Sequence, residues 1–431
     1  MRLRKTITTI VATAILLAGW QLFAVIANQP ELIPSLPRLV RTLCEWLVSG
    51  SFYQSVGATI LRGVLGMSIS FVCAIGMAGL FARFEWVYEL FRPLLAIMRS
   101  IPVISFILLA LIFLNPESIP LMIAFLTMFP LLTENLTRGI LDLRPGLSIM
   151  ARQFHIRRSN VLFQIIYPQL KPFLYSGLAS AAGFGWRAII MGEVLSQCAF
   201  GIGSEMKRAQ NFIAVPELLA WTIVAVFISF FFDKGISKVA DITPKISFAN
   251  EDQTIPTPTL SVLDTKDISY QYGIQHFSHS FQKGIIYGIS APSGKGKTTL
   301  LNLIGGILLP TEGEIHPTRH FGIATIFQQP QLLPHLTAEE NIILPLSSFL
   351  TEEKARRIAQ KHLQEMEMEP FGNRYPKELS YGQQQRIAIA RALAYPSPLL
   401  LMDEPFKGLD EALSHRIIEL IREKQMKEEL I

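Results

Sequence analysis

The chain has 431 residues, of which 50% are apolar and only 17% are charged, and its mean hydropathy is +0.35. In a soluble protein about a quarter of all residues are charged. The composition therefore excludes a wholly soluble enzyme and indicates a membrane protein with a soluble part. The net charge of +5 could indicate nucleic acid as a partner, but we do not expect one, because basic residues collect on the cytoplasmic loops of membrane proteins and explain this charge. The cysteines Cys44, Cys73 and Cys198 lack metal-ligand spacing, which argues against a disulfide framework and a zinc site.

The pattern of residues 1–240 predicts an α-helical membrane domain. The candidate spans are six apolar runs, at residues 1–27, 63–82, 101–114, 119–132, 173–195 and 217–232. The first run is longer than the roughly 7–15 apolar residues of a cleaved signal peptide, which is the alternative to a retained span. Arginines concentrate in residues 83–100 and 133–172, so the positive-inside rule places both stretches in the cytoplasm, whereas residues 28–62 fit it poorly. Six spans would also place everything after Phe232 in the cytoplasm.

Two ionisable residues, Arg187 and Glu193, lie in the fifth predicted span. A charge inside a membrane is costly and indicates a functional role by default. Arg187 is therefore a candidate to attract an anionic solute. The alternative is an internal ion pair, although the i, i+6 spacing disfavours a direct pair between these two residues.

Residues 241–264 contain three prolines and no helical periodicity, which predicts a linker. From residue 265 to residue 431 the composition is that of a soluble domain. Short β-branched runs alternate there with polar helical patterns such as "TEEKARRIAQKHLQEME", which favours an α/β fold.

The stretch "YGISAPSGKGKTTLLNLIGG", residues 287–306, nearly matches a phosphate-binding loop between a predicted strand at 285–290 and a helix. Backbone N–H groups of the loop and the helix N-terminus would bind phosphate oxygens, with Lys297 on the β- and γ-phosphates and Thr298 on Mg²⁺. Ala291 stands at the first glycine of the motif, which would strain the backbone by about 1 kcal/mol if φ were positive there. The candidate nucleotide contacts are Ser293, Gly294, Lys295, Gly296, Lys297, Thr298 and Thr299.

Two further motifs carry chemistry. "LLLMDEP", residues 399–405, is an apolar strand that ends in Asp403, a candidate Mg²⁺ ligand, and Glu404, a candidate to orient or deprotonate the attacking water. The alternative is a strand that ends in solvated acids. In "LSYGQQQRIAIARAL", residues 379–393, the Ser380 hydroxyl and the Gly382 N–H stand at a helix start and could bind an anion.

Together these motifs resemble the ATP-binding cassette family over about residues 265–420. The resemblance implies a P-loop ATPase domain with a helical subdomain and with ATP and Mg²⁺ as cofactors. Residues 379–383 match the family signature, with tyrosine at its third position, and add Gln383 to the nucleotide contacts. Gln328, in "IFQQPQLLPHLTAEENI", matches the residue that links the metal site to the membrane domain, as a metal ligand and catalytic group. Tyr272 matches the aromatic that stacks on adenine, and Asp410 matches the D-loop aspartate.

The resemblance also implies a dimer in which two cassettes enclose two ATP molecules. Ser380 and Gly382 of one subunit would meet the γ-phosphate held by Lys297 of the other. The family's switch histidine lies in a strand beyond the D-loop. His415 is too close to Asp410 to be that residue, and the sequence ends before the expected strand. Weak hydrolysis, a partner ATPase subunit and a truncated chain therefore stay open.

The segment "IMARQFHIRRSNVLFQIIYPQLKP", residues 149–172, resembles the coupling motif of importer permeases in spacing. Ala151, Ile165 and Pro168 match, while Ile149 stands at the motif's glutamate and His155 at its glycine. The alternative is an ordinary basic loop. Most of residues 30–232 resemble permeases of nitrate-, sulfonate- and taurine-type importers, which implies an external solute-binding protein as a partner.

The sequence therefore predicts a multi-domain, multi-pass protein of the cytoplasmic membrane: a permease of about six lipid-contacting spans, followed by an α/β P-loop ATPase domain on the cytoplasmic side. The expected activity is ATP-driven import of a small anion or nutrient precursor by a homodimer. The alternatives are a nucleotide-binding membrane protein with little or no hydrolysis and an exporter of the same organisation.

Overall fold

A computed structural model describes residues 2–240, 244–253, 260, 262–271, 273–292, 294–317 and 322–428. The chain divides into two compact units. The first comprises residues 1–142 and 170–242, and the second comprises residues 143–169 and 243–431. The segment 143–169, which contains most of the predicted coupling motif at residues 149–172, thus packs with the soluble part of the chain.

Helices cover most of residues 2–240. They are α1 (Arg2–Ala27), α2 (Leu36–Trp46), α3 (Gly50–Arg83), α4 (Glu85–Ser100), α5 (Val103–Phe113), α6 (Ile119–Leu141), α7 (Pro145–Gln153), α8 (Arg158–Asn160), α9 (Tyr167–Ser196), α10 (Ile202–Asn211) and α11 (Val215–Ala240). A π-helical stretch, Val161–Ile166, joins α8 to α9.

Four helical stretches are long and apolar enough to cross a membrane: Gly50–Arg83, Pro116–Leu141, Arg158–Ser196 and Val215–Ala240. A fifth arises if α4 and α5, which meet at a 94° bend, count as one span. These stretches contain the last five of the six predicted runs, and the first run lies in α1. The run 101–114 forms an 11-residue helix, and at 1.5 Å per residue this is too short for a core about 30 Å thick. The first run contributes the shorter apolar helix Val11–Ala27.

Helix α3 begins at Gly50, well before the predicted span at 63–82. Its first turns carry the polar residues Ser55 and Thr59 on a buried face, which conceals the helix from a search for apolar runs. Further along, the helix packs closely on its neighbours at two glycines. A Cβ at Gly63 would lie 2.0 Å from the Trp186 ring, and one at Gly66 would lie 2.6 Å from Ala124 Cβ. Small residues at helix contacts are typical of membrane bundles.

The first unit exposes large apolar side chains along several helices. Examples are Leu61, Ile69 and Val72 on α3, Leu108 and Ile112 on α5, and Val226, Phe227, Phe230 and Phe231 on α11. An apolar surface of this extent is not stable in water, and it fits contact with membrane lipid.

The second unit contains two small sheets. The strands are β1 (Val262–Tyr270), β2 (Ile274–Gln282), β3 (Glu312–His316), β4 (Ala324–Ile326) and β5 (Leu400–Met402). The first three form an antiparallel sheet in the order β2-β1-β3, and β4 pairs in parallel with β5, with Thr325 opposite Leu401. The helices are α12 (Lys297–Ile304), α13 (Ala338–Leu346), α14 (Glu352–Glu365), α15 (Tyr381–Ala394) and α16 (Glu411–Glu428). Helices α13, α14 and α15 pack on one another around buried apolar side chains, as expected for a helical subdomain.

The strand predicted at residues 285–290 does not form, so that prediction is wrong. Within the described residues β5 pairs only with β4, so the backbone of residues 285–290 forms no strand pairing there. Its side chains Ile285, Ile286 and Tyr287 instead line a cavity of about 360 Å³ that β5 also borders. A β-branched run becomes a strand only where a neighbouring edge is available.

Residues 244–253 of the predicted linker have no regular secondary structure but lie against the second unit. Ala249 N donates to Ser347 O at 3.0 Å, and Gln253 N donates to Phe349 O at 2.8 Å. Residues 254–259 lie outside the described part of the chain, and β1 begins at Val262, inside the predicted linker.

Candidate functional site

The loop before α12 uses left-handed backbone at two glycines. Gly294 has φ 79° and Gly296, which precedes the helix, has φ 86°. A Cβ at Gly296 would lie 2.9 Å from Gly273 O, so both conformation and space require glycine there. Ala291 does not have a positive φ. Its replacement of the motif's first glycine therefore brings no backbone strain.

Lys297 is the first residue of α12, and its side chain folds back over the loop. Its Nζ donates to Ala291 O at 2.6 Å and to Pro292 O at 3.1 Å. Two carbonyls thus fix the ammonium beside the N–H groups of the helix N-terminus, where an anion is favoured. Among the other candidates, Lys295 is exposed and Thr299 is half-buried in the first turn of α12, while Ser293 lies outside the described residues.

Thr298 and Asp403 meet directly, since Thr298 Oγ1 donates to Asp403 Oδ2 at 2.9 Å. Asp403 follows β5, and its N–H donates to Ile326 O of β4 at 2.9 Å, which fixes the start of this loop. A hydroxyl beside a carboxylate fits Mg²⁺, which binds proteins through few oxygen ligands and completes its octahedron with phosphate and water. Across the described residues, no cluster of three or more His, Cys, Asp or Glu side chains could hold a metal by itself.

Glu404 pairs with Gln328. Gln328 Nε2 donates to Glu404 Oε2 at 3.1 Å, and Lys407 Nζ lies 3.4 Å from the same oxygen. The hydrogen bond from Gln328, followed by that from Lys407, lowers the pKa of the exposed Glu404 carboxyl. Glu404 has φ 47°, a conformation that costs a non-glycine residue about 1 kcal/mol or more and is common at functional sites. The carboxylate is therefore held ionised beside Asp403.

The signature residues form a second group. Ser380 Oγ accepts from Gln383 N at 3.3 Å and Gln383 Oε1 accepts from Ser380 N at 2.9 Å, which caps α15. A Cβ at Gly382 would lie 2.5 Å from Gly408 O, so only glycine fits. Asp410 Oδ1 accepts from Leu413 N at 2.8 Å at the start of α16.

Tyr381, the departure from the family signature, makes a contact that the sequence did not indicate. Its hydroxyl donates to Gln328 O at 2.8 Å. This bond could be predicted only if the start of α15 and Gln328 were known to be neighbours, and that follows only from the tertiary fold.

The structure thus brings some of the predicted site residues together and separates others. Lys297, Asp403 and Glu404 line one cavity, with Thr298 and Gln328 bonded to its two acids. In the part of the chain that the structure describes, no hydrogen bond joins Ser380, Gly382, Gln383 or Asp410 to the loop at 291–299. Tyr272 lies outside the described residues.

The segment 143–169 packs inside the second unit. Gln153 Nε2 donates to Gly305 O at 2.7 Å, just beyond α12, and Ile323 N donates to Gln153 O at 2.7 Å, just before β4. Asn160 Nδ2 donates to Ser347 Oγ at 2.8 Å. Gln153 and Asn160 were not predicted as functional residues, although two amides in a basic loop were a usable signal. His155 stands at the motif's glycine and has φ 44°, the backbone that glycine adopts without strain.

In the first unit, Glu193 is fully buried and paired, but not with Arg187. Arg62 NH1 donates to Glu193 Oε1 at 2.7 Å, Thr59 Oγ1 donates to it at 2.9 Å, and Gly203 N donates to Oε2 at 3.0 Å. The alternative of an internal ion pair therefore holds for Glu193, with a partner that lies in α3. Arg187 is exposed, and its guanidinium lies 6.0 Å from the centre of the Phe184 ring.

Two family models match the chain. The model described as "ABC transporter" matches residues 274–407, and the one described as "Binding-protein-dependent transport system inner membrane component" matches residues 67–233. The matches fall on the cassette and on the helical region respectively.

Curated relatives match the cassette. The "Uncharacterized ABC transporter ATP-binding protein MJ0796" of Methanocaldococcus jannaschii is 38% identical over 171 residues, which is 35% of this chain and 73% of the relative. The "Spermidine/putrescine import ATP-binding protein PotA" of Nitrosomonas europaea is 36% identical over 168 residues, 36% of this chain. This chain spans about half of that relative, at 46%. A solved structure described as dimeric MJ0796 bound to ADP and Pi is 33% identical, with a TM-score of 0.37, over 39% of this chain and 85% of that one.

Proposed function

We propose that this chain, which belongs to the ABC transporter family, is a permease and its ATPase in one polypeptide and imports a small solute. It is a multi-pass protein of the inner membrane with a cytoplasmic ATPase domain. Its cassette is homologous to ATP-hydrolysing transporter cassettes.

The observation that carries the proposal is the pair of contacts at the end of β5, Thr298 with Asp403 and Gln328 with Glu404. ATP phosphates would lie on the loop at 291–296, with Lys297 as their positive partner. Thr298 and Asp403, with Gln328, would hold Mg²⁺, which neutralises phosphate charge. Glu404 is ionised and positioned to orient a water or take its proton. The backbone contacts of Gly294, Lys295, Gly296 and Thr299, and roles for Ser293 and Tyr272, belong to the same proposal.

The contacts of the signature residues support a homodimer. Among the described residues, no hydrogen bond joins Ser380, Gly382, Gln383 or Asp410 to the loop of their own chain, so a second copy would supply them to its ATP. The related MJ0796 cassette has been solved as a dimer. A separate ATPase subunit is the alternative second partner.

The likeness of residues 30–232 to nitrate-, sulfonate- and taurine-type permeases supports a small anion or nutrient precursor as the solute. The match to a binding-protein-dependent permease model supports an external solute-binding protein as a partner and import as the direction. The intact contacts of Glu404 do not favour a non-hydrolysing protein.

Uptake assays test this proposal. Cells that produce the chain with a solute-binding protein are given labelled taurine, an alkanesulfonate or nitrate, and Glu404→Gln serves as the matched control. We expect uptake of one solute that needs the binding protein and is lost in the variant. Uptake that persists in Glu404→Gln, or solute efflux, would contradict it.

A further inference from the structure

Arg391 in α15 is a buried arginine that makes no ion pair with an acidic side chain of the described residues. Its side chain is 1% exposed, and its NH1 and NH2 donate to Gln331 O and Pro330 O, both at 2.8 Å. Its Nε has no hydrogen-bond partner in the part of the chain that the structure describes, and burial lowers the pKa of Arg391 to about 9. A buried charge is costly unless it is well satisfied. The position of residues 330–331 therefore decides whether this charge is satisfied.

The other face of the guanidinium lies on the segment 143–169. Arg391 Cζ is 5.4 Å from the centre of the Phe154 ring. Phe154 is fully buried and meets Tyr395 edge to face at 5.1 Å between ring centres. A desolvated cation above an aromatic face is strongly attracted to it. Two groups thus hold one buried charge: the carbonyls of residues 330–331 and the Phe154 ring of the segment 143–169.

Residues 328–331 also contact Glu404 at the proposed catalytic site, and they contact the segment 143–169 at a second point. Three residues before Gln331, Gln328 donates to Glu404. The Gln331 side chain lies against α7, since a Cβ at Gly146 would be 2.4 Å from Gln331 Oε1. Residues 328–331 therefore contact Glu404 at one end and the segment 143–169 at the other.

We propose that Arg391 is a positioning residue that makes the Gln328–Glu404 pair and the segment 143–169 change position together. If residues 330–331 moved away from Arg391, the buried guanidinium would lose its two carbonyl acceptors. If Phe154 moved away, the guanidinium would lose its contact with the aromatic ring. Residues 328–331 would then have two positions of different free energy, one with the Arg391 contacts and one without them. Nucleotide at Glu404 and movement of the segment 143–169 could each change the balance between these positions, which is the requirement for coupling. This inference rests on the proposed ATPase function.

Hydrogen–deuterium exchange on the full-length protein in lipid nanodiscs tests the proposal. The probe is Mg²⁺ with a non-hydrolysable ATP analogue, and fluorescent nucleotide titration measures binding separately. We expect the analogue to change exchange in residues 143–169 of the wild type. In Arg391→Met, binding should stay within about threefold while that response is lost. Arg391→Lys, which keeps the charge, should restore part of it.

Phe154→Leu keeps the core filled and removes only the ring, so it carries the test if Arg391→Met does not fold. It should lose the response as well. Arg386→Met is the matched control, because Arg386 lies in the same helix and donates to Met366 O, which is not part of residues 143–169. The proposal is wrong if the wild type binds nucleotide without a response in 143–169, or if Arg391→Met or Phe154→Leu responds normally. A wild type that fails to bind nucleotide would overturn the proposed function itself.

Discussion

At the scale of single residues, one hydrogen bond sets the charge of Glu404 at low pH. The Gln328 amide is the main cause of its lowered pKa. A carboxyl with a lowered pKa stays ionised to lower pH, so removing the amide raises the pKa and protonates Glu404 at a higher pH. In Gln328→Leu we therefore expect the acid limb of the ATPase pH profile to move to higher pH. Gln329→Leu, at an exposed neighbour, is the control, and an unmoved limb would contradict the assignment.

Lys297 gives a second prediction at this scale. Its ammonium is held over the phosphate loop by Ala291 O and Pro292 O, and charge-assisted bonds to phosphate are strong. We expect Lys297→Ala to weaken nucleotide binding by about tenfold or more, as measured by fluorescent nucleotide titration. Lys266→Ala, on the exposed side of β1, should bind normally. Equal binding by the two variants would refute the role of Lys297.

The sequence could predict these residues because their motifs carry their own local geometry. The glycines at 294 and 296 and the acids after an apolar strand need only neighbours in sequence to be recognised. Tyr381 and Arg391 could not be predicted, because their partners lie 53 and 60 residues away along the chain. Glu193 shows the same limit, because its partner Arg62 lies 131 residues away.

At the scale of elements, α7 is tied to the cassette by Gln153. Replacing Gln153 by leucine would leave the buried Gly305 carbonyl without the bond from its amide, a loss of about 1–2 kcal/mol. We expect local exchange of residues 145–153 to accelerate by about tenfold. Arg152→Leu changes an exposed neighbour and should leave exchange unchanged. Unchanged exchange in Gln153→Leu would contradict this anchoring.

Elements were predictable where local pattern was enough. The helix after the phosphate loop and strand β5 follow from periodicity and apolar runs. The strand at 285–290 was mispredicted because pairing depends on a neighbouring edge. Helix α3 was predicted to begin too late because its buried polar residues Ser55 and Thr59, which bond to Glu205 and Glu193 outside α3, interrupt the apolar pattern.

At the scale of the whole molecule, the proposed dimer places Lys297 of one chain opposite Ser380 of the other. Lys297→Ala and Ser380→Arg should each be inactive alone. When they are mixed and reassembled, heterodimers regain one intact site, so ATPase activity should reappear. A mixture that stays inactive while heterodimers are present would contradict a site shared between chains.

The membrane spans show that composition alone does not determine how a helix crosses the membrane. Hydropathy identified the apolar runs, but length in a folded helix decides which of them can cross. The bend of 94° between α4 and α5 depends on packing rather than on apolar content.

ATP turnover by the full chain in lipid nanodiscs, compared with Glu404→Gln, tests most directly whether this ATPase drives transport. We expect Mg²⁺-dependent hydrolysis by the wild type and none by the variant, with nucleotide binding retained in both. Zero turnover by the wild type with intact binding, unaltered by Glu404→Gln, would contradict a transporter driven by this ATPase.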